Sequence, residues 1–265
     1  MTPQTILDHY DRGVLWPEAD QEAAPATMAC AYQDALAMRD LRIARGERPV
    51  GYKIGFTNRT IWERYRVFAP IWGPVWDTTL TRCDDGGSIA LSATCQPRLE
   101  PEVVFGIATT PPRAATLEQL FETVDWIAPG FEVVQSHCRD WRFTAAQTVA
   151  DGALHARLLV GRTTPVRDVA PDGAVLDGLL AATRLRLYRG DAPIDEGSGD
   201  NVLDGPLHAL LHFVHELERC PGAPSLMPGD VVTTGTWTDA WPVEPGQVWH
   251  TASDGPVPSL RITLR

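Results

Sequence analysis

The sequence predicts an α+β fold with a predominantly β core, on three observations. Helix-type spacing is concentrated near the N-terminus, in residues 3–12 and 26–46. From Ile71 onward the pattern turns to short β runs punctuated by Gly and Pro. Two later segments return to helical spacing, Thr116 to Val124 and Pro206 to Arg219. A chain of 265 residues can bury a sizeable core, and β-rich folds of this length are often one domain. The expected organisation is an N-terminal α/β subdomain over residues 1–75 and a β-rich domain over 76–265.

Taken in order, the second helix places Met28, Ala31, Ala35, Met38 and Leu41 on one stripe. The turn Gly46-Glu47-Arg48-Pro49 leads into a short strand, Val50 to Phe56, whose alternation sets Lys53 on the face opposite Tyr52 and Ile54. Thr60 to Tyr65 reads as a helical or lid segment. Ser88 to Leu91 and the run Gln96 to Phe105 are strands. Thr116 with Gln119 has the form of a capping box before the strand that carries Glu132. Pro165 to Gly178, rich in Pro, Asp and Gly, reads as a surface connection. The tail alternates strands with Pro-Gly turns, over Val231 to Gly235, Val248 to His250 and Leu260 to Leu264.

A net charge of -11 leaves no basic field for a phosphate backbone, which argues against nucleic-acid binding. Five scattered cysteines with no CxxC pair argue against a disulfide framework or a cysteine metal knot, and fit reduced thiols in the cytoplasm. No basic start precedes an apolar stretch at the N-terminus, and no run approaches the ~18 apolar residues of a membrane span.

The chemistry concentrates in carboxylates that sit inside apolar runs. Glu100 and Glu102 fall two residues apart in Leu99-Glu100-Pro101-Glu102-Val103-Val104-Phe105. Alternation puts both on one strand face, about 7 Å apart at the backbone. Such a pair repels itself unless a cation lies between. Glu132, inside Pro129-Gly130-Phe131-Glu132-Val133-Val134, offers a third oxygen ligand, and an all-oxygen set selects a hard divalent ion, Mg2+ or Mn2+. The competing explanation is an edge strand with solvated carboxylates and one buried Glu paired to Arg98 or Arg139. The apolar neighbours of Glu102 and Glu132 make desolvation costly without a counter-charge and favour the metal.

Three other features compete for a role. His208, His212 and His215 fall at i, i+4 and i+7, near the spacing of helical zinc ligands, but Ala209 stands where the two-histidine zinc motif has its Glu, and a polar helix stripe explains the pattern. Ser198, in Glu196-Gly197-Ser198-Gly199-Asp200, lacks a nucleophile elbow and reads as a substrate-touching loop or a plain turn. Lys53, flanked by Gly51 and Gly55, could bind a substrate carboxylate or move a proton if it faces the glutamates; otherwise it is a surface lysine.

The glutamate strand, the run Gly51-Tyr52-Lys53-Ile54-Gly55, the block Glu132 to Gly161 with Asp140-Trp141 and Thr148-Val149-Ala150-Asp151, and the closing run Gly229 to Gly235 together resemble the 2-keto-4-pentenoate hydratase and 4-oxalocrotonate decarboxylase branch of the fumarylacetoacetate hydrolase superfamily. The resemblance spans nearly the whole chain. It implies a β-rich roll of mixed strands with peripheral helices and a small N-terminal α/β portion, assembled as a homo-oligomer. It makes 76–265 the metal-binding catalytic domain, with Glu100, Glu102 and Glu132 as ligands of Mg2+ or Mn2+ and Lys53 as the catalytic, substrate-contacting lysine. Substrate contacts are expected from Lys53, Trp72, Ser198, Asp200 and Thr234. The implied activity is a lyase of aromatic-ring catabolism, a hydratase acting on a 2-hydroxy-2,4-dienoate or related 2-oxo acid through a metal-stabilised enolate. A 2-oxo-3-enedioate decarboxylase, a C–C bond hydrolase and a non-catalytic ligand-binding paralogue share the same platform.

One departure bears on which of these applies. Hydratases of this family carry an acid in a Pro-Asp-Phe-Gly-like segment, where this chain reads Pro70-Ile71-Trp72-Gly73. Ile71 cannot shuttle a proton, so either Asp77 or Glu63 takes its place or the reaction is not the standard hydration. Trp72 and Trp76 would make the pocket drier. Asp200, an extra acid beside the substrate loop, would disfavour a dianion and points to monoacid substrates.

Overall fold

A computed structural model describes residues 1–22, 25 and 27–265. The first helix, Pro3–Arg12, is capped by the Thr2 hydroxyl accepting from the Thr5 N–H, and it ends on left-handed Gly13. The second long helix is Met28–Ala44; Ala26, where the sequence began it, lies outside the described residues. Its Ala31, Ala35 and Met38 pack with Ile6, Leu7 and Trp16 against the helix Ala145–Ala150.

Two sheets make the body of the molecule, the mixed-strand α+β arrangement expected from the sequence. In the larger, the central order is Ile71–Trp76, Pro49–Gly55, Val231–Thr233, Arg98–Ile107, Val124–Val134, His155–Val160 and Leu80–Arg82. The pairing of Pro49–Gly55 with Val231–Thr233 and of Leu80–Arg82 with His155–Val160 is parallel; the other neighbours on this path are antiparallel. The smaller sheet has five strands, ordered Ala192–Ser198, Arg184–Arg189, Val248–Ser253, Arg261–Leu264 and Gly86–Ile89.

Both sheets contribute to one apolar cluster. Leu99, Val103, Phe105, Phe131 and Val133 from the larger sheet meet Leu185, Leu187, Trp249, Ile262 and Leu264 from the smaller. The helix Pro206–Arg219 closes it through Leu207, Leu210, Phe213 and Val214. Odd-numbered residues of the glutamate strand therefore face the inter-sheet core, and even-numbered ones face the opposite side.

Two expectations change. Pro165 to Gly178 is not an irregular connection: it holds the helix Val166–Val169 and starts a second, Gly173–Ala182, capped by Asp172. Pro165 and Gly173 mark helix starts, while Val166, Leu176 and Leu180 are buried. The Thr116 helix is also shorter, Leu117–Phe121, because Val124 already begins the next strand; its capping box with Gln119 is present. No described helix is long and apolar enough to cross a membrane.

Candidate active site

Antiparallel register places Glu100 directly opposite Glu132 and Glu102 opposite Gly130. Cross-strand partners share a face, so Glu132 lies on the same face as Glu100 and Glu102. One oxygen from each of Glu100, Glu102 and Glu132 lies within 4.8 Å of the others, and among the described residues this is the one acidic, His or Cys cluster that could hold a metal ion. Glu102 is 2 % exposed and Glu132 fully buried. They are not the solvated carboxylates of an edge strand.

Lys53 enters from the neighbouring side of the sheet. Its strand pairs with Val231–Thr233, which pairs in turn with the glutamate strand, so the register Lys53–Thr233–Val104 brings the lysine to the carboxylate face. Its Nζ is 3.0 Å from Glu132 Oε2, and the side chain is buried. That ammonium is the ion-pair partner of Glu132 Oε2. The other oxygen, Oε1, is held by His155 Nδ1 at 2.8 Å. Glu102 Oε2 accepts the Gly235 N–H at 2.6 Å, while its Oε1 is unpartnered. Gly235 has φ +99°, and a Cβ there would lie 1.9 Å from Thr57 Oγ1, so only glycine brings this N–H to the carboxylate.

The electrostatics follow from burial. Burial raises Glu100 to about 7, with Lys53 and Arg98 opposing it and Glu132 reinforcing it. Burial, together with the other two glutamates, lifts Glu102 well above the ordinary carboxylate range. Burial also works against ionised Glu132, yet Lys53 and His155 outweigh it and hold that carboxyl below its usual value. For Lys53, burial disfavours the ammonium, and the three glutamates overcome it. Three carboxylates converging in one place, with a buried Glu102 oxygen unpartnered and a Glu132 oxygen paired only to Lys53, are the donor set a hard divalent cation requires; without one, burial pushes Glu100 and Glu102 toward their protonated forms.

A cleft of roughly 310 Å³ opens onto Lys53 and Glu100. Its inner wall includes Ile54, Ile71, Val134, Ala153 and Leu154. Its outer wall is aromatic and cationic. Phe56 stacks on Tyr65 and Tyr65 on Phe143, with ring centroids 4.9 and 5.6 Å apart. The Arg98 guanidinium lies 4.4 Å from the Trp141 ring centre, and Arg64 lies 5.4 Å from that of Tyr65. The segment anticipated as helical or lid, Arg59–Ile61 with Trp62–Tyr65, carries Ile61, Arg64 and Tyr65 into the cleft lining.

The remaining sequence-derived candidates are elsewhere. Trp72 does not line the cleft: it is buried on the opposite side of its strand, stacked on Tyr32 and in contact with Tyr52 and Phe213, because alternation turns Ile71, not Trp72, inward. Trp76 is likewise buried, beneath the Arg42 guanidinium. The Ser198 hydroxyl donates to Asp200, and both sit in the smaller sheet and the turn after it, outside the cleft lining. The argument from Asp200 against a dianionic substrate therefore lapses. Thr234 gives its hydroxyl to the Val103 carbonyl at 3.0 Å, while Thr233, on the Lys53 face, keeps a buried hydroxyl with no partner. Asp77 is bound to Arg48 and Glu63 is outside the lining, so neither stands in for the acid absent at Ile71. His208 pairs with Asp177 and His215 with the Ala115 carbonyl; the helix presents no metal cluster.

The model of the fumarylacetoacetate (FAA) hydrolase C-terminal family matches residues 75–258. The chain belongs to the fumarylacetoacetate hydrolase family. It is 30% identical over 232 residues to the 2-hydroxyhexa-2,4-dienoate hydratase of Comamonas testosteroni, an alignment covering 86% of this chain and 83% of that protein. It is also 30% identical over 227 residues to the 2-keto-4-pentenoate hydratase of Paraburkholderia xenovorans, covering 84% and 80%. Among solved structures, 4-oxalocrotonate decarboxylase from Pseudomonas putida G7, complexed with magnesium and adipate, superimposes with a TM-score of 0.87 at 22% identity, over 99% of this chain and 95% of that one. The fold is thus the family's, as the sequence led one to expect.

His155 was not anticipated. Strict alternation along His155–Val160 would group it with Leu159, on the core face. The register instead runs Val133–Arg157 and then Val134–His155, so a bulge at Ala156 turns His155 to the side of Glu132. Arg98 was legible: it precedes Glu100 by two residues and shares its face.

Proposed function

We propose that this protein is a divalent-metal-dependent lyase of the hydratase kind, acting on a 2-hydroxy-2,4-dienoate or related 2-oxo acid. The observation that carries it is the convergence of the buried carboxylates of Glu100, Glu102 and Glu132, with one Glu102 oxygen unpartnered and the Lys53 ammonium paired to Glu132. The three glutamates would hold Mg2+ or Mn2+. When bound, such an ion supplies Lewis-acid stabilisation of negative charge on a 2-oxo oxygen and a template for the acid's carboxylate. Gly235 and His155 orient two of the carboxylates through their N–H groups. Lys53 Nζ, held protonated by the glutamates, delivers a proton to the conjugated chain of the substrate. Ile71, Ala153 and Leu154 keep bulk water from the inner end, and the ladder of Phe56, Tyr65 and Phe143 offers flat surface to a planar dienoate.

A second reading, decarboxylation of a 2-oxo-3-enedioate, is favoured by a specific feature. Arg98 and Arg64 line the cleft without any carboxylate within ion-pair distance among the described residues, and Arg98 stands one pleat repeat, about 7 Å, outward from Glu100. A second carboxylate on the substrate would meet them. Ile71 supports the same reading, since releasing CO2 needs no group to activate water. Product analysis separates the two: hydrated product from 2-hydroxypentadienoate is expected, and CO2 release from 2-oxo-3-hexenedioate without a hydrated product would replace hydratase by decarboxylase. Turnover by Lys53→Ala equal to wild type would remove Lys53 from the chemistry. EDTA that changes neither activity nor thermal stability would remove the metal.

Residues 1–75 as an N-terminal subdomain and 76–265 as the catalytic domain remain part of this proposal, supported by a family match beginning at residue 75. A small-molecule substrate, cytoplasmic location and homo-oligomeric assembly complete it. The acidic net charge of -11 supports the absence of nucleic-acid partners, and the 85 % exposed Phe68 beside the lid offers apolar surface for a second copy.

A further inference from the structure

The carboxylate of Glu132 can serve a cation only if one particular oxygen faces the other two glutamates. A terminal carboxylate torsion is broad and roughly two-fold, so nothing in the side chain itself selects that orientation. His155 Nδ1 lies 2.8 Å from Oε1, so that Oε2 is the oxygen beside the Lys53 ammonium, at 3.0 Å. The imidazole is in turn anchored: Nε2 lies 2.8 Å from Thr79 Oγ1, and that hydroxyl accepts the Trp76 N–H at 3.2 Å. His155 is 2 % exposed and absent from the cleft lining, so it does not touch substrate. The bulge at Ala156 that turns it toward Glu132 interrupts an otherwise regular strand pairing.

We infer that His155 is a positioning residue for the metal centre: through the chain Trp76, Thr79, His155, it holds Glu132 by Oε1 and leaves Oε2, beside Lys53, to serve the cation. The inference rests on the metal reading above. A ligand held by such an outer contact typically loses about 10- to 100-fold in metal affinity when the contact is removed.

The test is Mn2+ binding to the EDTA-stripped full-length protein, read by calorimetry and by the electron paramagnetic resonance of free Mn2+, with the thermal midpoint of the metal-free form measured alongside. His155→Leu is expected to weaken Mn2+ binding by about 10- to 100-fold. His155→Asn, whose amide places a donor where Nδ1 stands, is expected to restore binding to within about threefold of wild type, and His155→Gln, whose amide reaches instead toward Thr79, is expected not to. The Asn and Gln variants keep the comparison decisive even where the leucine variant fails to fold. Equal Mn2+ affinity across wild type and His155→Leu, or equal losses in Asn and Gln variants, overturns the positioning role. Wild-type protein that binds no Mn2+ overturns the metal reading instead, and leaves the two failures distinguishable.

Discussion

The two faces of the glutamate strand are almost equally removed from water and chemically opposite. On one, Leu99, Val103 and Phe105 are fully buried among Phe131, Val133 and the smaller sheet. On the other, one residue away in sequence, Arg98, Glu100 and Glu102 sit at or beside the cleft with Lys53 and Glu132. The apolar face stabilises by removing hydrocarbon from water, a gain that needs no partner chemistry. The charged face is stabilised only as far as its charges are matched: Lys53 pairs with Glu132, while a Glu102 oxygen and the Thr233 hydroxyl are left without partners. Burial therefore marks the core on one side and the chemistry on the other, and the unpaired polar atoms tell them apart.

The comparison breaks most visibly if the charged face is made apolar. Glu102→Leu is expected to lower kcat/KM by about 10³-fold, the rate equivalent of ~4 kcal/mol. The metal-free protein should meanwhile keep or gain thermal stability, because an acid that burial disfavours becomes hydrocarbon. Activity assays and melting curves with and without Mg2+ check both halves, and the Mg2+-induced rise in Tm should disappear. The converse change is Phe131→Ala on the apolar face, expected to cost about 3–5 kcal/mol in denaturant unfolding while the Mn2+ affinity of the folded fraction stays within about twofold.

Protons sharpen the contrast further. Glu100, raised from 4.5 to about 7, and Glu102, raised further, bind protons in the folded metal-free protein that they lose when unfolded. A raised folded pKa contributes stability that is complete below the unfolded value and fades as pH climbs through the folded one. The Tm of EDTA-treated protein should fall as pH rises from 4.5 through 7, and saturating Mg2+ should flatten or reverse that slope. The smallest effect is expected at the cleft's outer end. Arg98→Gln should reduce kcat/KM by about tenfold for a diacid and leave a monoacid nearly unchanged, the size of one charged hydrogen bond; equal losses for both would remove Arg98 from substrate discrimination.

Where the sequence spoke clearly, the physics was local. The helical spacing of residues 3–12, Thr116 with Gln119 and the stripe of Met28–Ala44 depend on neighbours within a turn, and each is present. Glu100 with Glu102 was legible for the same reason, as two carboxylates at a period of two cannot leave one face. Trp72 was misread although the same rule applied: Lys53 and Trp72 lie on neighbouring strands, and only the register Lys53–Gly73 shows that Ile71, not Trp72, shares the Lys53 side. Ser198 and Asp200 were read as substrate contacts by their order in the chain, yet their strand belongs to the smaller sheet.

By itself, then, the chain determined its strand-forming and helix-forming segments, the shared face of Glu100 and Glu102, and the hard-ion character of an all-carboxylate donor set, because these follow from side-chain type and short-range periodicity. Tertiary structure alone decided that Glu132 lies opposite Glu100, that Lys53 reaches them through an intervening strand, and that His155 turns to grip Glu132 instead of filling the core. Those outcomes depend on strand register and on a single-residue bulge, and both are set by the packing of segments far apart in sequence.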